Sequence, residues 1–224
     1  HGTEHLNVVK WMNYLNQNNA SFREAFDLKC YAIDDLSSNN RRGNLMAAYD
    51  YDTNEELEYI RKSILLGLEQ FEKIFGFKSN TTIAPCYVWN DEIEKIMQKN
   101  KVSCFQGSYV QNIPMLKGSF RRKYRFTGQK NANDQTYLVR NGLFEPSVHK
   151  NIDWVNRCLE SIAIAFKWGK PAIISTHRIN FVGGLDENQR NHNLKLLKQV
   201  IAKAILKWPD IQFIDSESLI LKNY

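Results

Sequence analysis

The sequence predicts a parallel α/β protein, a barrel rather than an open sheet, on three observations. Short apolar runs alternate with longer stretches of helical periodicity, and polar residues collect just past the carboxyl end of each run. No G-x-G-x-x-G follows an early strand and no G-x-x-x-x-G-K occurs, so a dinucleotide fold or P-loop has no support. At 224 residues the chain can bury a sizeable core, and no low-complexity linker divides it, so one domain over residues 1–224 is expected. Aromatic content of 12% and dispersed charge match ordinary globular proteins. No run approaches the roughly 20 apolar residues of a membrane span. The formal charge of +6 favours anionic partners in general and is too modest to establish nucleic-acid binding.

After His5, Val8, Trp11, Met12 and Leu15 recur at helical spacing until the polar stop at Asn16 to Asn19, and a second short helix runs from about Phe22 to Leu28. Asp34 to Gly43 reads as a loop. Leu45 to Tyr49 reads as a buried strand delivering Asp50 and Asp52, weak acidic candidates. Thr53 with Glu56 forms a capping box, and Leu57, Ile60, Ile64, Leu68, Phe71 and Phe75 hold one helical face until Gly76. Thr81 to Pro85 is the next strand, Cys86 to Trp89 a turn, and Asn90 the cap of a helix bearing Ile93, Ile96 and Met97. Val102 to Phe105 is a strand. Tyr109 to Gly128 is a long excursion with hairpin character, and Thr136 to Arg140 is a further strand. A loop through Asn141, Glu145 and Pro146 leads to a helix with Ile152, Val155, Leu159, Ile162 and Phe166, closed by Gly169. Pro171 to Thr176 is a strand that delivers His177; Leu194 to Trp208 forms the last long helix, and Ile211 to Ile214 the final strand.

The chemistry-bearing stretch is His1-Gly2-Thr3-Glu4-His5. Two imidazoles four apart, where a loop enters a helix, suit one Zn2+ or another divalent ion; the bland alternative is a pair of solvated histidines. A catalytic zinc takes three protein ligands, so a third must come from elsewhere, and the chain is expected to start inside a longer protein whose upstream part would carry any export signal. The same five residues fit the H-x-x-E-H zinc-peptidase pattern with Glu4 as base, but that pattern needs a helix, which Gly2 opposes. Cys30, Cys86, Cys104 and Cys158 form no C-x-x-C pair and are read as reduced and mostly buried. Ser175 and His177 lack a G-x-S-x-G context, so a serine hydrolase is not expected, and His149 and His192 read as surface residues. Trp89, Phe144 and Tyr109 are candidates for a sugar platform against the commoner reading as core. Arg140 and Glu145, past a strand end, serve either a pocket or each other. Lys117, Arg121, Arg122, Lys123 and Arg125, interleaved with Phe120, Tyr124 and Phe126, read first as a solvated loop, next as a contact for an anionic glycan, and last as a single-strand nucleic-acid contact.

Over nearly its whole length the sequence resembles the polysaccharide deacetylases of the carbohydrate esterase four group. The opening residues are similar to that family's H-S/T-x-x-H metal motif, with Gly2 where Ser or Thr is usual, which implies His1 and His5 as metal ligands. Ile83-Ala84-Pro85-Cys86 resembles its R-x-P-Y, with Ile83 for the arginine and the tyrosine displaced to Tyr87. Asn151-Ile152-Asp153-Trp154 is similar to its Asp-Trp segment, implying that Asp153 sets the catalytic histidine and Trp154 lines the sugar groove. Ser175-Thr176-His177 resembles the late strand that ends in the general acid, His177. The resemblance implies a distorted (β/α)7-type barrel around one metal, with the first βα unit, its third ligand and its general base upstream of His1. The implied activity is metal-dependent removal of N- or O-acyl groups from a carbohydrate, with Pro85, Tyr87, Trp89, Arg140, Glu145 and Trp154 as substrate contacts. The partner would be a carbohydrate, an anionic one included, with no nucleic acid. A non-catalytic glycan- or partner-binding protein on the same fold is the alternative.

Overall fold

A computed structural model of the chain describes residues 1–35, 42–116 and 119–221. They form a mixed α/β structure that divides into two compact units, His1–Tyr137 and Leu138–Tyr224.

In the first unit, α1 (Val8–Asn16) and α2 (Ala20–Asp27) are each opened by an asparagine, Asn7 and Asn19, whose side chain accepts a backbone N–H of the first turn. Their apolar faces bury Trp11, Leu15, Phe22 and Ala25 around Leu45. α3 (Asn54–Phe75) begins at Thr53, whose Oγ1 accepts from Glu56 N at 3.2 Å, and ends at Gly76 in the left-handed conformation at φ 76°. β1 (Thr81–Ile83) leads through α4 (Asp91–Lys99) to β2 (Cys104–Gly107), and the two strands pair in parallel, Thr82 opposite Phe105. This right-sized crossover is the α/β unit that the alternating pattern anticipates. The excursion after β2 is an antiparallel pair, β3 (Val110–Ile113) and β4 (Arg121–Tyr124), with Val110 opposite Tyr124 and Ile113 opposite Arg121. Lys117 lies outside the described residues. β5 (Thr136–Val139), in which the first unit ends, completes a sheet of order β1-β2-β5. Ile60, Ile64, Trp89, Ile93, Met97 and Phe105 are among the residues of this unit's main core.

In the second unit, β6 (Gly142–Leu143) pairs in parallel with β7 (Ile174–Ser175). Between them runs α5 (Trp154–Lys167), and α6 (Glu187–Lys207) and α7 (Ser216–Leu221) follow. Phe144, Trp154, Val155, Cys158, Ile162, Val200 and Ala204 form the core.

Three expectations change. Leu45 to Tyr49 is buried but is not a strand: Ala47 N donates to Asn44 O at 3.2 Å and Asp50 N to Ala47 O at 2.9 Å, so the segment folds as successive turns. Ile211 to Ile214 has no ladder partner among the described residues, and Phe213 and Ile214 are exposed. The α/β class stands, but the described strands are short, form three separate sheets, and close no barrel. No described helix is long and apolar enough to cross a membrane.

Candidate functional site

The strongest constellation is in the second unit. Extending the β6–β7 register by two residues brings 145 level with 177, just past both carboxyl ends. There His177 Nδ1 lies 2.7 Å from Glu145 Oε1. The carboxylate is buried, while the imidazole is 72% exposed. With Nδ1 turned to Glu145, the outward edge of the ring carries Nε2, the arrangement of an acid–base imidazole fixed by a carboxylate.

Asn180 holds this pair together. A single 3-10 turn, Arg178–Asn180, begins at His177 and returns Asn180 N to His177 O at 3.0 Å. The buried Asn180 Nδ2 then lies 2.8 Å from Glu145 Oε2, 2.9 Å from His177 O and 3.0 Å from Thr176 Oγ1. Its Oδ1 accepts from Ser147 N at 2.9 Å. Asn193, from α6, donates to Asn180 O and to Ser147 Oγ, both at 2.9 Å. Every polar atom near the buried carboxylate therefore has a defined role, as burial of charge demands. Neither asparagine carries a periodic signal in the sequence.

Asp153 does not orient His177. Its Oδ1 accepts from Asn156 N at 3.0 Å and its Oδ2 from Asn156 Nδ2 at 2.7 Å, so the carboxylate serves as the N-cap of α5, and Glu145 takes the orienting place. Trp154 is 2% exposed and donates Nε1 to His149 O at 2.8 Å. Its ring belongs to the core with Phe144, so neither presents a face to a sugar. Arg140 is half-buried immediately after β5. His149 and His192 are surface residues.

In the first unit, His1 and His5 come together, ring centroids 4.7 Å apart and tilted by 52°. Two imidazoles on one tetrahedral zinc, each nitrogen about 2 Å from the ion, bring their ring centres to about 5 Å, a separation that is also that of an ordinary ring contact. The described residues bring no third His, Cys, Asp or Glu to it. Residues 1–5 are not helical, and Glu4 Oε2 accepts from Ser63 Oγ at 2.7 Å, so the H-x-x-E-H geometry is absent. Gly2 stands at φ 70° against α3, where a Cβ would meet Ser63 Oγ at 2.9 Å, which explains why Ser or Thr is not found there.

Past β1, Pro85 is buried and the next two residues, Cys86 and Tyr87, are left-handed at φ 50° and 59°. Two consecutive non-glycine residues in that region store about 1–2 kcal/mol each. Tyr87 is half-buried, whereas Trp89 is 1% exposed, stacked on Phe105 at 5.5 Å with Nε1 donating to Glu94 at 2.9 Å. Trp89 is core, not a sugar platform. Asp50 is also structural: Arg42 Nη2 approaches it at 2.5 Å and Lys10 Nζ at 2.7 Å. All four cysteines are free; burial pushes the Cys104 thiol up to about 12 and Cys158 to about 11, which removes both as nucleophiles.

Comparison of the chain with protein-family models, with curated proteins and with solved structures found no match.

Proposed function

We propose that the chain belongs to a metal-dependent hydrolase that removes acyl groups from a carbohydrate, on a distorted (β/α) barrel of the polysaccharide deacetylase kind. The observation that carries this reading is His177, exposed past the end of β7 with Nδ1 against the buried Glu145 carboxylate. His1 and His5 would hold a zinc or similar ion, which when bound supplies an activated water and polarises the acyl carbonyl. The chain's own residues handle the proton. His177 Nε2 protonates the departing sugar amine or hydroxyl, Glu145 stabilises the imidazolium that precedes this transfer, and Asn180 fixes the Glu145 carboxylate.

The test uses the protein as it exists in nature, purified and analysed for metal, then assayed for acetate release from acetylated chito-oligosaccharides. Wild type should carry stoichiometric metal that His5→Ala loses. His177→Ala should keep the metal and lose roughly 10²–10⁴-fold in turnover. Absence of metal after zinc is supplied, together with absence of acetate release, would overturn the reading and leave a glycan-binding protein.

A further inference from the structure

The β3–β4 ribbon presents an arrangement that the hydrolase reading does not use. All four residues of β4, Arg121, Arg122, Lys123 and Tyr124, are exposed. None of its three cations has an ion-pair partner among the described residues. Residues two apart share a face of a strand, about 7 Å from one another. One face of this segment therefore reads Phe120, Arg122, Tyr124, Phe126: a cation set among three rings. Tyr124 is 72% and Phe126 62% exposed. Phe120 is held in place from below by the Arg42 guanidinium, 5.3 Å from its ring centre.

We propose that this ribbon is a binding strip for an extended acidic glycan, one whose carboxylates are separated by neutral sugar rings. The choice of a sugar polymer rests on the hydrolase reading above; the spacing supports it independently. A nucleic acid carries a phosphate at every residue and is met by dense basic surfaces. This face offers one guanidinium between flat apolar surfaces, which suits sparse anions alternating with the apolar faces of pyranose rings. Arg122 provides the planar fork that matches a carboxylate in a bidentate manner, and Tyr124 and Phe126 provide area that costs little rotamer entropy. Arg121 and Lys123, on the opposite face, add attraction at a distance and make the association sensitive to salt.

The experiment is isothermal titration of the full chain with an octamer in which a uronate alternates with a neutral hexose, with its methyl-esterified form, and with a dT oligonucleotide of equal length. Wild type should bind the acidic octamer, and Arg122→Ala and Tyr124→Ala should each weaken binding about tenfold. These positions are exposed, so circular dichroism of both variants should match wild type. The ester should bind wild type no better than the acid binds Arg122→Ala. Equal affinity of wild type and both variants for the acidic octamer would overturn the proposal, and so would tighter binding of the oligonucleotide. His177→Ala separates the two readings: it should lower acetate release roughly 10²–10⁴-fold yet leave octamer affinity unchanged. A hydrolase failure thus leaves the strip standing, and a binding failure leaves the hydrolase standing.

Discussion

Replacing Asn180 tests the second-unit site most directly. In Asn180→Ala, Glu145 Oε2 loses the donor at 2.8 Å and Ser147 N loses its acceptor at 2.9 Å. A buried orphan costs about 1–3 kcal/mol, more when charged, so the local loss should be about 3–5 kcal/mol. Asn180→Asp keeps the shape but sets a second carboxylate against Glu145. Two carboxylates at such range cannot both ionise freely, so one takes up a proton and the pair's affinity for it rises above that of an isolated acid. The sign follows from linkage: the folded variant holds more protons than the unfolded chain, so its stability is present at low pH and falls as pH rises. Hydrogen exchange of peptides covering 144–150 and 174–182 is the appropriate assay, because it reports local opening without assuming all-or-none unfolding. At neutral pH both variants should exchange these peptides faster than wild type, and as pH falls Asn180→Asp should recover more protection than Asn180→Ala, after correction for intrinsic exchange. Protection in Asn180→Ala within about 0.5 kcal/mol of wild type would refute the role given to Asn180.

Two further outcomes are expected. Arg42→Met leaves Asp50, whose side chain is 2% exposed, with Lys10 alone at 2.7 Å, and should cost about 3 kcal/mol in urea denaturation, partly restored by adding Asp50→Asn; a loss under 1 kcal/mol would mean Lys10 suffices. At the alkaline end, the Cys104 thiol is raised from 9.0 to about 12 by burial, so the folded chain retains a proton that the unfolded chain releases. Cys104 should contribute a fall of about 1.4 kcal/mol per pH unit across that window, in addition to the fall from Cys158, whose thiol is raised to about 11, so Cys104→Ala should make the slope shallower by that amount; an unchanged slope would remove Cys104 as a source.

Local signals account for what was legible in the sequence. Thr53, Glu56 and Gly76 fix both ends of α3 through contacts within four residues, and Asn90 fixes the start of α4. Leu45 to Tyr49 misled because an apolar run reports burial without direction; the Asn44 side chain, accepting from Met46 N at 2.8 Å, bends it into turns. β6 has only two residues, too short to show a period, and a Cβ at Gly142 would meet the end of the Ile174 side chain, Cδ1, at 2.6 Å. The site behaves likewise. His177 stands out as a histidine ending a strand, but its partner is 32 residues away and is supplied by strand register. Asp153 suggests itself as that partner because a carboxylate opening a helix looks the same in sequence whether it caps or orients.

Arg125 separates the two exposed rings of the ribbon and is itself buried. Its Nε and Nη2 both donate to Gln111 Oε1, at 2.8 and 2.6 Å, and its guanidinium lies 3.9 Å over the Tyr137 ring. Gln111 in turn donates to Trp89 O at 2.9 Å, and Glu94 gathers Trp89 Nε1, the Tyr137 hydroxyl and Asn131 Nδ2. Tyr124 and Phe126 thus hang on either side of a rivet driven through the core. Whatever meets them encounters a surface already set in its working shape, so association sacrifices little chain freedom, and loosening the rivet at Gln111 would blunt recognition without altering a single exposed atom.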